Sequence, residues 1–149
     1  SGRVGRAGGR VPARVRFGRR VVSWWDQAIG RSAGLARTFT SEQIAAYDRL
    51  AGDDSPEGLV PEPLVAGLFS KLLGVDLPGP GTNYLKQQLE FPSSAAVGEK
   101  LRALVQITSI LPEKRLVYLT TTCLGADDRA VCRGQALVLA GGIPPGEHR

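Results

Sequence analysis

The segment 59–74, Leu-Val-Pro-Glu-Pro-Leu-Val-Ala-Gly-Leu-Phe-Ser-Lys-Leu-Leu-Gly, constrains the fold more than any other part of the chain. Pro61 and Pro63 suit a helix start. Leu64, Leu68 and Leu72, flanked by Val65, Phe69 and Leu73, then make a helix that is apolar around most of its surface. Such a helix must be enclosed on more than one side. After the break at Pro78-Gly79-Pro80-Gly81 come four runs that read as strands, 83–91, 100–111, 115–124 and 130–139, separated by turn residues. In the second run Leu101, Ala103, Val105, Ile107 and Ser109 alternate with Arg102, Leu104, Gln106, Thr108 and Ile110. A buried helix followed by a strand meander is an α+β pattern, an antiparallel sheet wrapped around a central helix. One such sheet leaves an exposed edge strand and an open helix flank, so a dimer partner, self or paralogue, is expected.

Upstream, Arg37-Thr38-Phe39-Thr40 reads as an extended entry and Ser41 as the N-cap of a helix. Ile44, Ala45, Tyr47, Asp48 and Leu50 carry that helix to Gly52, and Asp53-Asp54-Ser55-Pro56 reads as a turn. Between positions 20 and 30 the spacing of Val21, Trp25, Ala28 and Ile29 predicts a short helix closed by Gly30.

Charge is unevenly placed. Residues 1–40 hold nine arginines and one acid, Asp26, a net of +8, whereas residues 41–149 carry a net of −3. Residues 1–20 contain five glycines and no hydrophobic period, so this arm is not expected to fold alone. Its composition suits a mitochondrial targeting segment, and equally an arm that neutralises phosphates. On the second reading Arg3, Arg6, Arg10, Arg14, Arg16, Arg19 and Arg20 anchor the chain to a protein or to RNA. Trp24 and Trp25 then dock the arm, with base stacking the alternative. The 149 residues include no methionine, so Ser1 is not an initiator. No apolar run approaches the roughly 18 residues of a membrane-spanning helix. Cys123 and Cys132 make neither a disulfide framework nor a zinc site, and read as buried thiols or a cross-strand pair.

Several words in the chain are similar to one family. Gly-Asp-x-Ser-Pro at 52–56, Leu-Pro-Gly-Pro-Gly-Thr-Asn-Tyr-Leu at 77–85, the 59–74 helix and the closing strands, in that order, resemble the MaoC-like branch of the hot-dog fold. That branch includes R-specific enoyl-CoA hydratases and mitochondrial 3-hydroxyacyl-thioester dehydratases. The resemblance covers about residues 29–140, with 1–28 as the arginine-rich extension and 141–149 as a tail. It implies a hot-dog dimer that needs no metal or other cofactor, because the reaction moves only water.

By the motif, Asp53 stands at the catalytic aspartate, Ser55 at the asparagine position, and Ser70 at a helix serine that helps place the water. Gly79, Gly81 and Tyr84 border the substrate tunnel by the same resemblance. In the family, aspartate and histidine activate one water between them, and a backbone amide at the start of the central helix polarises the thioester carbonyl. The histidine position here holds Gly58, and the sole histidine, His148, lies outside the matched region. About a dozen residues of overhang are also missing between Pro56 and the central helix. Either they were deleted or they lie outside this sequence.

Two functions follow. The missing histidine and the basic arm favour a non-catalytic structural subunit of a large mitochondrial assembly, such as a mitoribosome, holding rRNA through residues 1–20. The family vocabulary favours an R-specific enoyl-thioester hydratase or 3-hydroxyacyl-thioester dehydratase of the mitochondrial matrix, acting on acyl-CoA or acyl carrier protein. Whether the chain is an enzyme stays open at this point.

Overall fold

The computed structural model describes residues 14–17 and 20–146, with side chains from Ser23 onward. In chain order these are β1 (Arg14–Phe17), β2 (Arg20–Ser23), β3 (Ser32–Thr38), α1 (Ser41–Ala51), β4 (Leu59–Val60), α2 (Glu62–Lys71), β5 (Thr82–Glu90), β6 (Ala95–Ala96), β7 (Lys100–Leu111), β8 (Leu116–Leu124) and β9 (Ala130–Ala140). A five-stranded antiparallel sheet runs in the order β3-β7-β8-β9-β5, and β1-β2 and β4-β6 form two small pairs.

The helix expected over 59–74 is divided. Leu59 and Val60 pair with Ala96 and Ala95, Pro61 stands at the N-cap, and the helix proper gives way after Lys71 to a π-turn over Leu72–Asp76. Val65, Leu68, Phe69 and Leu72, at helical spacing, are buried. Gly67 and Ser70, on the remaining surface, are exposed in the single chain. α2 packs on β7, and the π-turn reaches β3, β5 and β7, so the sheet wraps the helix from both of its edges. The expected α+β architecture is thus the observed one.

Sheet register follows burial. Leu101, Ala103, Val105 and Ile107 point into the core and Arg102, Leu104, Gln106 and Thr108 point out, as the alternation predicts. A bulge between Ile107 and Ser109 resets the pattern, and Ser109, which alternates in step with Ile107 in the sequence, is exposed. Gly134 on β9 is required by close approach, because a Cβ there would lie 1.9 Å from the Gln88 carbonyl oxygen of β5.

Three local readings change. The N-cap of α1 is Thr40, not Ser41: Thr40 Oγ1 accepts from the Gln43 amide and Gln43 Oε1 from the Thr40 amide, a closed capping box. The entry expected over 37–40 is the end of a longer strand, β3, whose Ala33, Gly34, Leu35 and Ala36 are all buried against β7. The helix expected over 20–30 is a strand followed by one 3-10 turn, Trp24–Gln27, whose start is fixed by the Ser23–Asp26 capping box. β2 pairs with β1 in an antiparallel two-stranded ribbon within the arm.

Candidate active site

The loop 53–56 hangs from the end of α1. Gly52 ends the helix in the left-handed conformation (φ +70°), and the Asp53 amide donates to the Asp48 carbonyl at 3.0 Å. Ser55, at the motif's asparagine position, donates its amide to Asp48 Oδ2 at 3.1 Å and its hydroxyl to Asp48 Oδ1. Asp53 itself is exposed, and its Oδ2 accepts from the Tyr47 hydroxyl at 3.1 Å.

After Pro56 the chain turns at once. The Leu59 amide donates to the Pro56 carbonyl at 3.3 Å, and the Gly58 carbonyl accepts from Val97 at 2.9 Å, which ties the turn to β6. Gly58 has φ +79°, a conformation that L-residues rarely take, so the position where the family word carries histidine is held here by backbone geometry. His148 lies outside the described residues. At the start of α2 the Leu64 and Val65 amides donate to the Pro61 carbonyl, and Pro63 has no N–H. The Glu62 amide is left without an acceptor among the described residues, at the end of the helix where negative charge is favoured.

A second polar group lies where α2 meets β5. Ser70 Oγ and Tyr84 Oη are 3.3 Å apart, and Gln87 Nε2 donates to the same phenol at 3.4 Å. Burial pushes the Tyr84 phenol up, against hydrogen bonds from Ser70 and Gln87 that pull it down, so it stays protonated at neutral pH. No hydrogen bond joins this group to Asp53 among the described residues. Tyr47 and Gln87 were not singled out in the sequence as site residues. Nothing in the linear chain marks Tyr47, because its contact with Asp53 depends on where the end of α1 aims its side chain.

Gly79 and Gly81 build a backbone turn. The Gly79 amide donates to the Leu73 carbonyl, its own carbonyl accepts from Thr82, and a Cβ on Gly81 would lie 2.6 Å from the Gly142 nitrogen. Trp24 and Trp25 are buried against the sheet domain, in edge-to-face contact at 4.9 Å, with Trp25 Nε1 donating to the Pro144 carbonyl. Their rings are therefore closed to stacking on bases. Arg3, Arg6, Arg10 and Arg19 lie outside the described residues, and Arg14, Arg16 and Arg20 are described in backbone alone.

A groove of about 860 Å³ runs along β5, β8 and β9, lined by Gln88, Thr122, Arg133 and Gln135 among others, and neither Asp53 nor Ser70 borders it. No cluster of three or more His, Cys, Asp or Glu exists among the described residues, and no described helix is long and apolar enough to cross a membrane.

No family model matches the chain. Individual proteins do. The chain is 33% identical over 128 residues to an (R)-specific enoyl-CoA hydratase of Rhodospirillum rubrum, covering 76% of this chain and 88% of that protein. It belongs to the R-specific enoyl-CoA hydratase family. A solved (R)-hydratase of A. caviae superposes with a TM-score of 0.71 at 30% identity, over 78% of this chain and 96% of that one, so the sheet around α2 is the hot-dog fold. A mitochondrial 3-hydroxyacyl-[acyl-carrier-protein] dehydratase of Solanum lycopersicum is 30% identical over 127 residues, covering 74% of this chain and 76% of that protein. These hydratase-family kin fit the enzymatic reading better than the ribosomal one, for which neither the kinship nor the buried tryptophans offer support.

Proposed function

We propose that this hot-dog protein adds water to trans-2-enoyl thioesters, giving (R)-3-hydroxyacyl thioesters, and catalyses the reverse dehydration. The observation that carries the reading is the Asp53 carboxylate, held on a fixed loop, in a chain one-third identical to an R-specific hydratase. Hydration places a hydroxyl on Cβ and a proton on Cα. Asp53 takes the proton from the attacking water, and the same carboxyl returns it to Cα, so the reaction balances with one proton carrier. The Glu62 amide stabilises the negative charge that develops on the thioester oxygen. Ser70 and Tyr84 order the water, and Gly79 and Gly81 shape the turn beside the acyl chain. The acyl group arrives on coenzyme A or on acyl carrier protein. No metal or redox cofactor takes part.

A second copy of the chain, or a paralogue, pairs along β5, the sheet's exposed edge, and covers the open flank of α2 at Gly67 and Ser70. The arginine-rich arm and the kinship to plant mitochondrial dehydratases support a place in the mitochondrial matrix.

A specific observation favours a second reading. With Gly58 at the histidine position, the protein binds enoyl thioesters without turning them over. Crotonyl-CoA separates the two. Under the first reading the purified protein consumes the enoyl absorbance, and Asp53→Ala lowers kcat by about 10²–10³-fold. Binding with no turnover supports the second reading, and turnover unchanged by Asp53→Ala overturns the assignment of Asp53.

A further inference from the structure

The last turn of α1 does two jobs in consecutive residues. Asp48 holds the backbone of loop 53–56 through Ser55, while Tyr47 reaches the Asp53 side chain. Ile44, Tyr47 and Asp48 share one helix face at i, i+3 and i+4, and the burial of Ile44 pins that face to the core. The helix is capped at both ends, by the Thr40–Gln43 box and by Gly52, so both tethers project from a fixed frame.

Asp53 needs such a frame. It is an exposed carboxylate on a loop, and an untethered aspartate there turns freely about two side-chain bonds. The Tyr47 hydroxyl occupies Oδ2, and Oδ1 accepts no hydrogen bond among the described residues, so one oxygen is fixed and the other faces solvent. The phenol also stays a donor. Burial, the hydrogen bond to Asp53 and the charges of Asp53 and Asp48 all push its ionisation above the ordinary tyrosine value.

We infer that Tyr47 is a positioning residue for Asp53, its hydroxyl fixing the carboxylate through Oδ2 so that Oδ1 is presented to the reacting water. This rests on the proposed hydratase function. It adds a residue that acts through Asp53 in a site whose histidine position is glycine. Pre-orientation of this kind raises kcat and leaves substrate binding alone.

The test uses the full chain with crotonyl-CoA and compares wild type with Tyr47→Phe, Asp53→Asn and the double variant. Tyr47→Phe keeps the ring and removes the hydroxyl. It should lower kcat by about tenfold with KM within about twofold, and should cost nothing further in the Asp53→Asn background. A role confined to packing would lower the melting temperature and leave kcat unchanged. The contact itself is read without turnover, from the ultraviolet titration of the tyrosines. Asp53→Asn should move one ionisation to lower pH, and Tyr47→Phe should remove that same ionisation. If wild type is active, Asp53→Asn is inactive and Tyr47→Phe matches wild type in kcat, the positioning role falls and the hydratase reading stands. Wild type without turnover overturns both. A tyrosine titration indifferent to Asp53→Asn overturns the contact whatever the kinetics show.

Discussion

Arg129 and Glu99 form an ion pair at 2.8 Å that locks the β8–β9 turn to the segment leading into β7. Glu99 also accepts from the Ala96 and Ala126 amides, and Arg129 donates to Ser93 Oγ and the Ser94 carbonyl. The Arg129 hydrogen bond holds the Glu99 carboxyl down to about 2, helped by the two amides and opposed by burial.

A carboxyl whose folded value lies below its unfolded one, about 2 against 4.5, stabilises the fold above the unfolded value. That contribution is lost as pH falls from 4.5 through about 2. Glu99→Gln should therefore destabilise the protein by about 2 kcal/mol at neutral pH, measured by urea unfolding. The gap from wild type should close as the pH approaches 2. A gap that persists there contradicts the ion-pair account.

Cys123 lies directly opposite Cys132 in the β8–β9 register, and both are fully buried free thiols. Burial pushes Cys123 up to about 12 and Cys132 to about 11, so neither supplies thiolate at neutral pH. A thiol-exchange reagent should label neither cysteine in the folded protein and both after denaturation. Labelling of the native protein at a rate above that of unfolding would show that β9 opens locally.

Gly58 bears on how the family histidine could be restored. A Cβ at Gly58 meets nothing within 4 Å, so a side chain has room, yet the backbone sits at φ +79°. Gly58→His should fold and lose about 1–2 kcal/mol of stability, read from urea unfolding. It should not raise kcat on crotonyl-CoA, because nothing around that Cβ orients an imidazole toward Asp53. A large gain in kcat would show that the turn relaxes to place the ring.

Much of the fold is legible in the chain because burial has a period. Val65, Leu68, Phe69 and Leu72 announce the central helix, and Leu101 to Ile107 announce an inward strand face. β3 escapes that logic. Ser-Ala-Gly-Leu-Ala has little strand propensity, and it is a strand because Ala33 to Ala36 fill the space beside Val105 and Ala103. The bulge at Thr108 escapes it too, since a one-residue insertion in a ladder leaves no mark on composition. Trp24 and Trp25 look like arm residues in one dimension, and the sheet domain buries them.

The candidate site divides along the same line. Which residues stand at the motif positions, Asp53, Ser70 and Gly58 in place of histidine, is a matter of identity and order that can be read from the linear chain alone because a motif is a local word. Tyr47 above Asp53, Asp48 beneath Ser55 and Tyr84 against Ser70 are matters of direction. They exist because a capped helix and a curled edge strand aim side chains at groups six, seven and fourteen positions away, and only the packed structure decides where a side chain points.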